Sequence, residues 1–139
     1  MLFNSTQYNK NILNIGLLLL RVVASMAMLT HGFPKLQMLM SGNIEFMSLW
    51  GLTPGFTLGL VVFAEFICPF FIILGLFTRL ACIPILFTML FAIFQVHIHD
   101  EFSKMELPIF YFLSFMMIII LSAGTYSVDA MIEKRKNEW

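Results

Sequence analysis

The chain has 139 residues, of which 60% are hydrophobic and 12% charged, with 16 Phe and 11 Met. Soluble domains run nearer half apolar and a quarter charged, so this composition describes a polytopic protein of the lipid bilayer, not a soluble domain with one anchor. The formal net charge is zero, and with no basic surface and no acidic tail there is no case for nucleic acid or a cationic partner.

Met1 to Asn11 reads as a short polar lead-in. The first apolar span is expected over about 13–31. Ser25-Met26-Ala27 has the small residues of a signal-peptide cleavage site, but Arg21 in the middle of the apolar run argues for a retained transmembrane helix. On a helical wheel Arg21, Ser25, Met28 and Gly32 share one face, and small residues let helices approach closely in lipid. Residues 33–56 change character: still apolar, they are broken by Gly and Pro and hold Lys35, Gln37, Asn43, Glu45 and Trp50. No run here is long enough to cross, so the stretch is read as an interfacial or re-entrant segment.

The second span, expected over 58–77, is apolar except for Glu65. About 20 such residues cross the hydrocarbon layer, and an acid at that depth needs a partner. Arg21, the basic residue inside another apolar span, is the expected one, in an intramembrane ion pair that fixes which helix faces meet. A short turn at Thr78-Arg79 makes the second and third spans antiparallel neighbours. The third is expected over 80–98. On its wheel Thr88, Gln95 and His99 lie together and His97 points nearly the opposite way, so one histidine at most faces a common site if the helix is regular. The fourth is expected over 107–123, with Glu106 and Pro108 suited to its N-terminus. A polar tail, 125–139, carries Lys134-Arg135-Lys136.

The expected fold is therefore all-α, a four-helix integral membrane bundle forming one domain. Lys10, Arg79, Lys134, Arg135 and Lys136 fall on one side and Lys35 and Lys104 on the other, which puts both termini in the cytoplasm. His31, His97, His99 and Glu106 then converge at the outer boundary as a candidate polar pocket. Imidazoles and carboxylates there suit metal binding, haem ligation through two histidines, or proton exchange with a quinone. There is no HxxxH, HExxH or CxxCH motif, so no metal site is assigned, and hydrated boundary residues remain the plain alternative. Cys68 and Cys82 read as core thiols, and the abundant Met and Phe as lipid-facing or core filling.

Several stretches, in order and spacing, resemble the DoxX family of small four-helix membrane proteins. They are Leu20-Arg21, His31-Gly32-Phe33-Pro34-Lys35-Leu36, Ala64-Glu65, Leu74-Gly75-Leu76-Phe77-Thr78-Arg79, Ala92 to His97, Glu106-Leu107 and Gly124-Thr125-Tyr126-Ser127-Val128-Asp129. The resemblance implies a bacterial inner (plasma) membrane protein akin to the DoxD-like subunits of thiosulfate:quinone oxidoreductase. Its family-pattern residues are Arg21, His31, Lys35, Glu65, Arg79, His97, Glu106 and Asp129. The function it implies is that of the membrane subunit of a quinone-linked redox complex, with a quinone ahead of haem as cofactor. Without CxxC, a nucleotide loop or a metal motif, such a subunit needs a separate soluble or membrane redox partner protein. Two other readings stay open: a carrier, as a homo-oligomer or alone, that passes a small ion or metabolite past Arg21 and Glu65, and a structural or assembly subunit.

Overall fold

The computed structural model describes residues 9–138; the expected lead-in from Met1 to Tyr8 lies outside the described residues. Five helices follow in order: α1 (Lys10–Ser41), α2 (Pro54–Leu74), α3 (Thr78–Val96), α4 (Phe102–Leu121) and α5 (Val128–Lys136). The first four are long and apolar enough to cross a membrane. Each packs on the next and α4 closes back on α1, giving a four-helix bundle. Ala24 and Met28, Cys68 and Ile72, Ala81, Cys82, Ile85 and Met89, and Tyr111, Phe115 and Ile118 meet along its axis. Leu19, Val23, Phe70, Leu80, Phe94 and Ile120 point outward, the apolar girdle a lipid solvent requires.

The element boundaries differ from the sequence reading in three places. First, α1 does not stop near His31 but runs on through Gly32-Phe33-Pro34 to Ser41, where Gly42 closes it in the left-handed conformation. Pro34 removes one backbone donor, to the carbonyl of Thr30, and a packed membrane helix tolerates such a loss. The non-helical stretch after it shrinks to residues 42–53 and folds against α3 and the start of α2, with Trp50 edge-to-face on Phe87 and the Leu49 N–H donating to Thr57 Oγ1. Second, α2 starts earlier, at Pro54, with Thr53 as its N-cap and proline in the first turn. It ends at Leu74 because Gly75 takes φ 71°, so the turn lies at 75–77 and Thr78 already belongs to α3. Third, α4 starts at Phe102, five residues before the expected boundary, and Pro108 sits inside it. The tail also holds a helix: Ser127 accepts from the Ala130 N–H, Asp129 lies in the first turn and Lys134, Arg135 and Lys136 in the last, each complementing the helix dipole.

Two helices carry a π turn, Phe63–Ile67 in α2 and Ala92–Val96 in α3. In α2 the cause is legible. Pro69, four residues after Glu65, has no N–H to donate to the Glu65 carbonyl and its ring would crowd that oxygen. The chain instead bonds Cys68 N–H to Phe63 O, five residues back. The Glu65 backbone then lies against Gly32 of α1, where an added Cβ would meet the Glu65 carbonyl oxygen at 2.4 Å.

Candidate functional site

Two groups of polar side chains lie at opposite ends of the bundle. At the end where α1 begins, Arg21 is 2% exposed and donates from Nη1 to Ala123 O and from Nη2 to Tyr126 O, both at 2.7 Å. It therefore satisfies carbonyls that α4 leaves open past its C-terminus. Asp129 closes the same end: its carboxylate accepts from the Phe77 and Thr78 N–H groups and the Thr78 hydroxyl, at 2.8 to 2.9 Å, capping α3 from a distant segment. Burial raises the pKa of Asp129, but these donors and the nearby Arg21 outweigh it and hold the group below the usual carboxylate range.

At the other end Glu65, 3% exposed, accepts from Lys35 Nζ at 2.5 Å. The expected Arg21–Glu65 ion pair is thus corrected. Glu65 packs beside Gly32, 11 residues past Arg21 on α1, and at 1.5 Å per residue that is roughly 16 Å away. Lys35, less than one turn beyond Gly32, reaches it directly.

The Lys35–Glu65 pair separates two cavities. The larger, about 620 Å³, lies between α2 and α3 beneath the 42–53 segment, with Phe46, Phe63, Phe87 and Phe91 among its apolar walls. The smaller, about 250 Å³, is lined by His31, Lys104, Tyr111 and the methionines Met28 and Met89. Lys35, Glu65, Ala92 and His97 face both. His31 stands edge-to-face on Tyr111 at 5.6 Å.

His97 reaches this wall through the α3 π turn. On a regular helix it would lie nearly opposite Thr88. The extra residue in the π turn moves everything after it by about 100°, leaving His97 about 80° from Thr88, and both line the larger cavity. Its Nδ1 lies 2.8 Å from Asp100 Oδ2, and Lys104 Nζ lies 3.5 Å from Asp100 Oδ1. The hydrogen bond to His97, with Lys104 alongside, holds the Asp100 carboxyl below its ordinary pKa.

Of the expected outer pocket, His31 and His97 are brought together, but His99 and Glu106 are exposed and line neither cavity. His99 falls in the turn after α3 has ended, and the early start of α4 places Lys104, Leu107, Pro108 and Tyr111 along the smaller cavity instead. Arg79 is exposed at the start of α3. Sequence reasoning missed the Lys35–Glu65 pairing, Tyr111 and Asp100. One signal was available: if α1 continues, Lys35 comes 14 residues after Arg21 and returns to within about 40° of its face.

Neither a curated protein nor a solved structure matches the chain. A family model does: DoxX, over residues 16–98, well over half of the chain. That stretch holds Arg21, His31, Lys35, Glu65, Arg79 and His97. With its four membrane-crossing helices, the protein belongs to the DoxX family of membrane proteins.

Proposed function

We propose that this protein is the membrane subunit of a quinone-linked redox complex of the bacterial inner membrane, with both termini in the cytoplasm, and that its larger cavity receives the quinone. One observation carries the reading: a cavity of about 620 Å³, apolar along its length, is closed at one end by Lys35, Glu65 and His97. Cavities that bind lipophilic cofactors have this form, an apolar body with a few convergent polar groups. The carbonyl oxygens of a quinone lose hydration on entering such a site and need donors there. Lys35 supplies one, and His97 a second when protonated, while the phenylalanine walls take the ring and the start of its tail. The electrons come from a partner protein.

The test is purification from native membranes in mild detergent, followed by extraction and mass spectrometry of bound small molecules. The wild type should carry a quinone in near-stoichiometric amount, and Thr88→Trp, which fills the cavity from α3, should lose it. Wild-type protein free of quinone, both as isolated and after incubation with excess quinone, would overturn the proposal. Flux across liposomes that Glu65→Gln abolishes would then favour the carrier reading.

A further inference from the structure

The His97–Asp100 pair has a geometry that the quinone reading does not itself require. His97 caps the π turn, its N–H bonded to Ala92 O, and the Asp100 N–H bonds back to His97 O, so a closed backbone turn holds the two side chains together. Asp100 lies just before the N-terminus of α4, where the helix dipole favours a carboxylate. An ionised carboxylate only accepts hydrogen bonds, so in neutral His97 the proton stays on Nδ1 and Nε2 is left as an acceptor.

We propose that Asp100 is a positioning residue that, by fixing the tautomer of His97, makes the cavity discriminate between the oxidised and reduced forms of its ligand. This rests on the reading of the larger cavity as a quinone site. A quinone presents carbonyl oxygens and needs a donor; a hydroquinone presents hydroxyls that both donate and accept. Neutral His97 offers Nε2 only as an acceptor, which suits the hydroquinone and leaves the quinone carbonyl facing a lone pair. Protonated His97 donates from Nε2 and suits both. Quinone affinity therefore falls as His97 loses its proton, while hydroquinone affinity stays level. The other titratable groups around His97 are Lys35 and His31 of α1, Glu65 of α2, and Lys104 and Tyr111 of α4. Of these His31 is the other imidazole, so it needs a control.

The experiment measures binding of a decyl-tailed benzoquinone and its hydroquinone to the purified full-length protein between about pH 5.5 and 8.5, bracketing the ordinary histidine pKa. For the wild type and for His31→Gln, quinone affinity should drop about tenfold across that range, the size of one ordinary hydrogen bond, with the hydroquinone changing less than about twofold. In Asp100→Asn the amide no longer dictates the tautomer, neutral His97 is free to donate from Nε2, and the quinone profile should flatten. Asp100 lies in an exposed turn, and a melting curve checks that the variant is folded. Failure of both ligands to bind the wild type at any pH overturns the cavity reading and this proposal with it. If both bind but the quinone profile is flat in the wild type, or keeps its slope in Asp100→Asn, the tautomer proposal fails and the cavity reading stands. A profile lost in His31→Gln assigns the titration to His31 and also refutes it.

Discussion

Replacing Gly32 by alanine tests the packing on which the site rests. The added Cβ would stand 2.4 Å from the Glu65 carbonyl oxygen, 2.6 Å from its carbon and 2.9 Å from the Phe66 nitrogen, and ordinary contact begins at 3.4 Å. All three atoms are backbone, so no side chain swings aside, and α1 and α2 must part by about 1 Å. Overpacking of this kind costs about 1–3 kcal/mol. Alanine returns about 1 kcal/mol over glycine in a helix interior, leaving a net loss of up to about 2 kcal/mol. Gly16→Ala and Gly59→Ala are the controls: they also lie inside helices, with nothing within 4 Å of the new Cβ, and should be stabilising by up to about 1 kcal/mol. Melting in one detergent at a fixed scan rate, because unfolding is irreversible in many such proteins, should show Gly32→Ala up to several degrees below wild type and both controls at or above it. Gly32→Ala melting together with Gly16→Ala would refute the close approach of α1 to the π turn.

Three further outcomes follow from the polar groups. Arg21→Gln should destabilise by roughly 2–4 kcal/mol, since one buried and one part-buried carbonyl lose a charged donor. In double-mutant cycles Arg21 and Glu65 should be additive to within about 0.5 kcal/mol, whereas Lys35 and Glu65 should couple by more than about 1 kcal/mol; the reverse result would restore the Arg21–Glu65 pair. Because the Asp129 carboxyl is held below its ordinary value of about 3.9, it stabilises the fold at higher pH, and that contribution is lost as pH falls through its folded value. Melting temperatures taken from about pH 3 to 7 should therefore drop below about pH 4 in the wild type, while Asp129→Asn should be less stable near neutrality and flatter in acid. An identical acid limb in both proteins would remove Asp129 from the account.

The number of spans was legible because it rests on length and hydropathy, which a lipid solvent reads directly. The site was half legible, and each loss has a physical origin. Gly32-Phe33-Pro34 carries the residues that end helices in water, so α1 was cut short and Lys35 dropped from the helical wheel. In the bundle the proline costs one hydrogen bond, and the glycine is there for contact with Glu65. His97 was placed on the wrong face because a wheel assumes 3.6 residues per turn throughout, and the π turn breaks that period just before it. The α2 π turn did leave a mark, a proline four residues after an intramembrane glutamate, but its meaning depends on the glycine opposite. Nothing in the sequence announces the capping of α3 by Asp129, 51 residues away from Thr78.

The two ends of the molecule are connected through register. An added Cβ at Gly75 would lie 2.6 Å from Arg21 Nη1 and 2.5 Å from Ser127 Cβ, so the Arg21 side chain of α1 packs on the turn that ends α2, as the Gly32 backbone packs on Glu65 at the other end. Counting along the helices, 11 residues separate Arg21 from Gly32 and 10 separate Glu65 from Gly75, roughly 16 Å and 15 Å at 1.5 Å per residue. The spacings match, so both contacts form together, and a slide of one helix along the other would break both. Lys35 then meets Glu65 because the close approach of Gly32 to the Glu65 backbone sets the height of α1 against α2. Arg21 shares that register at the far end of the helix and exchanges no charge with the acid of the candidate site.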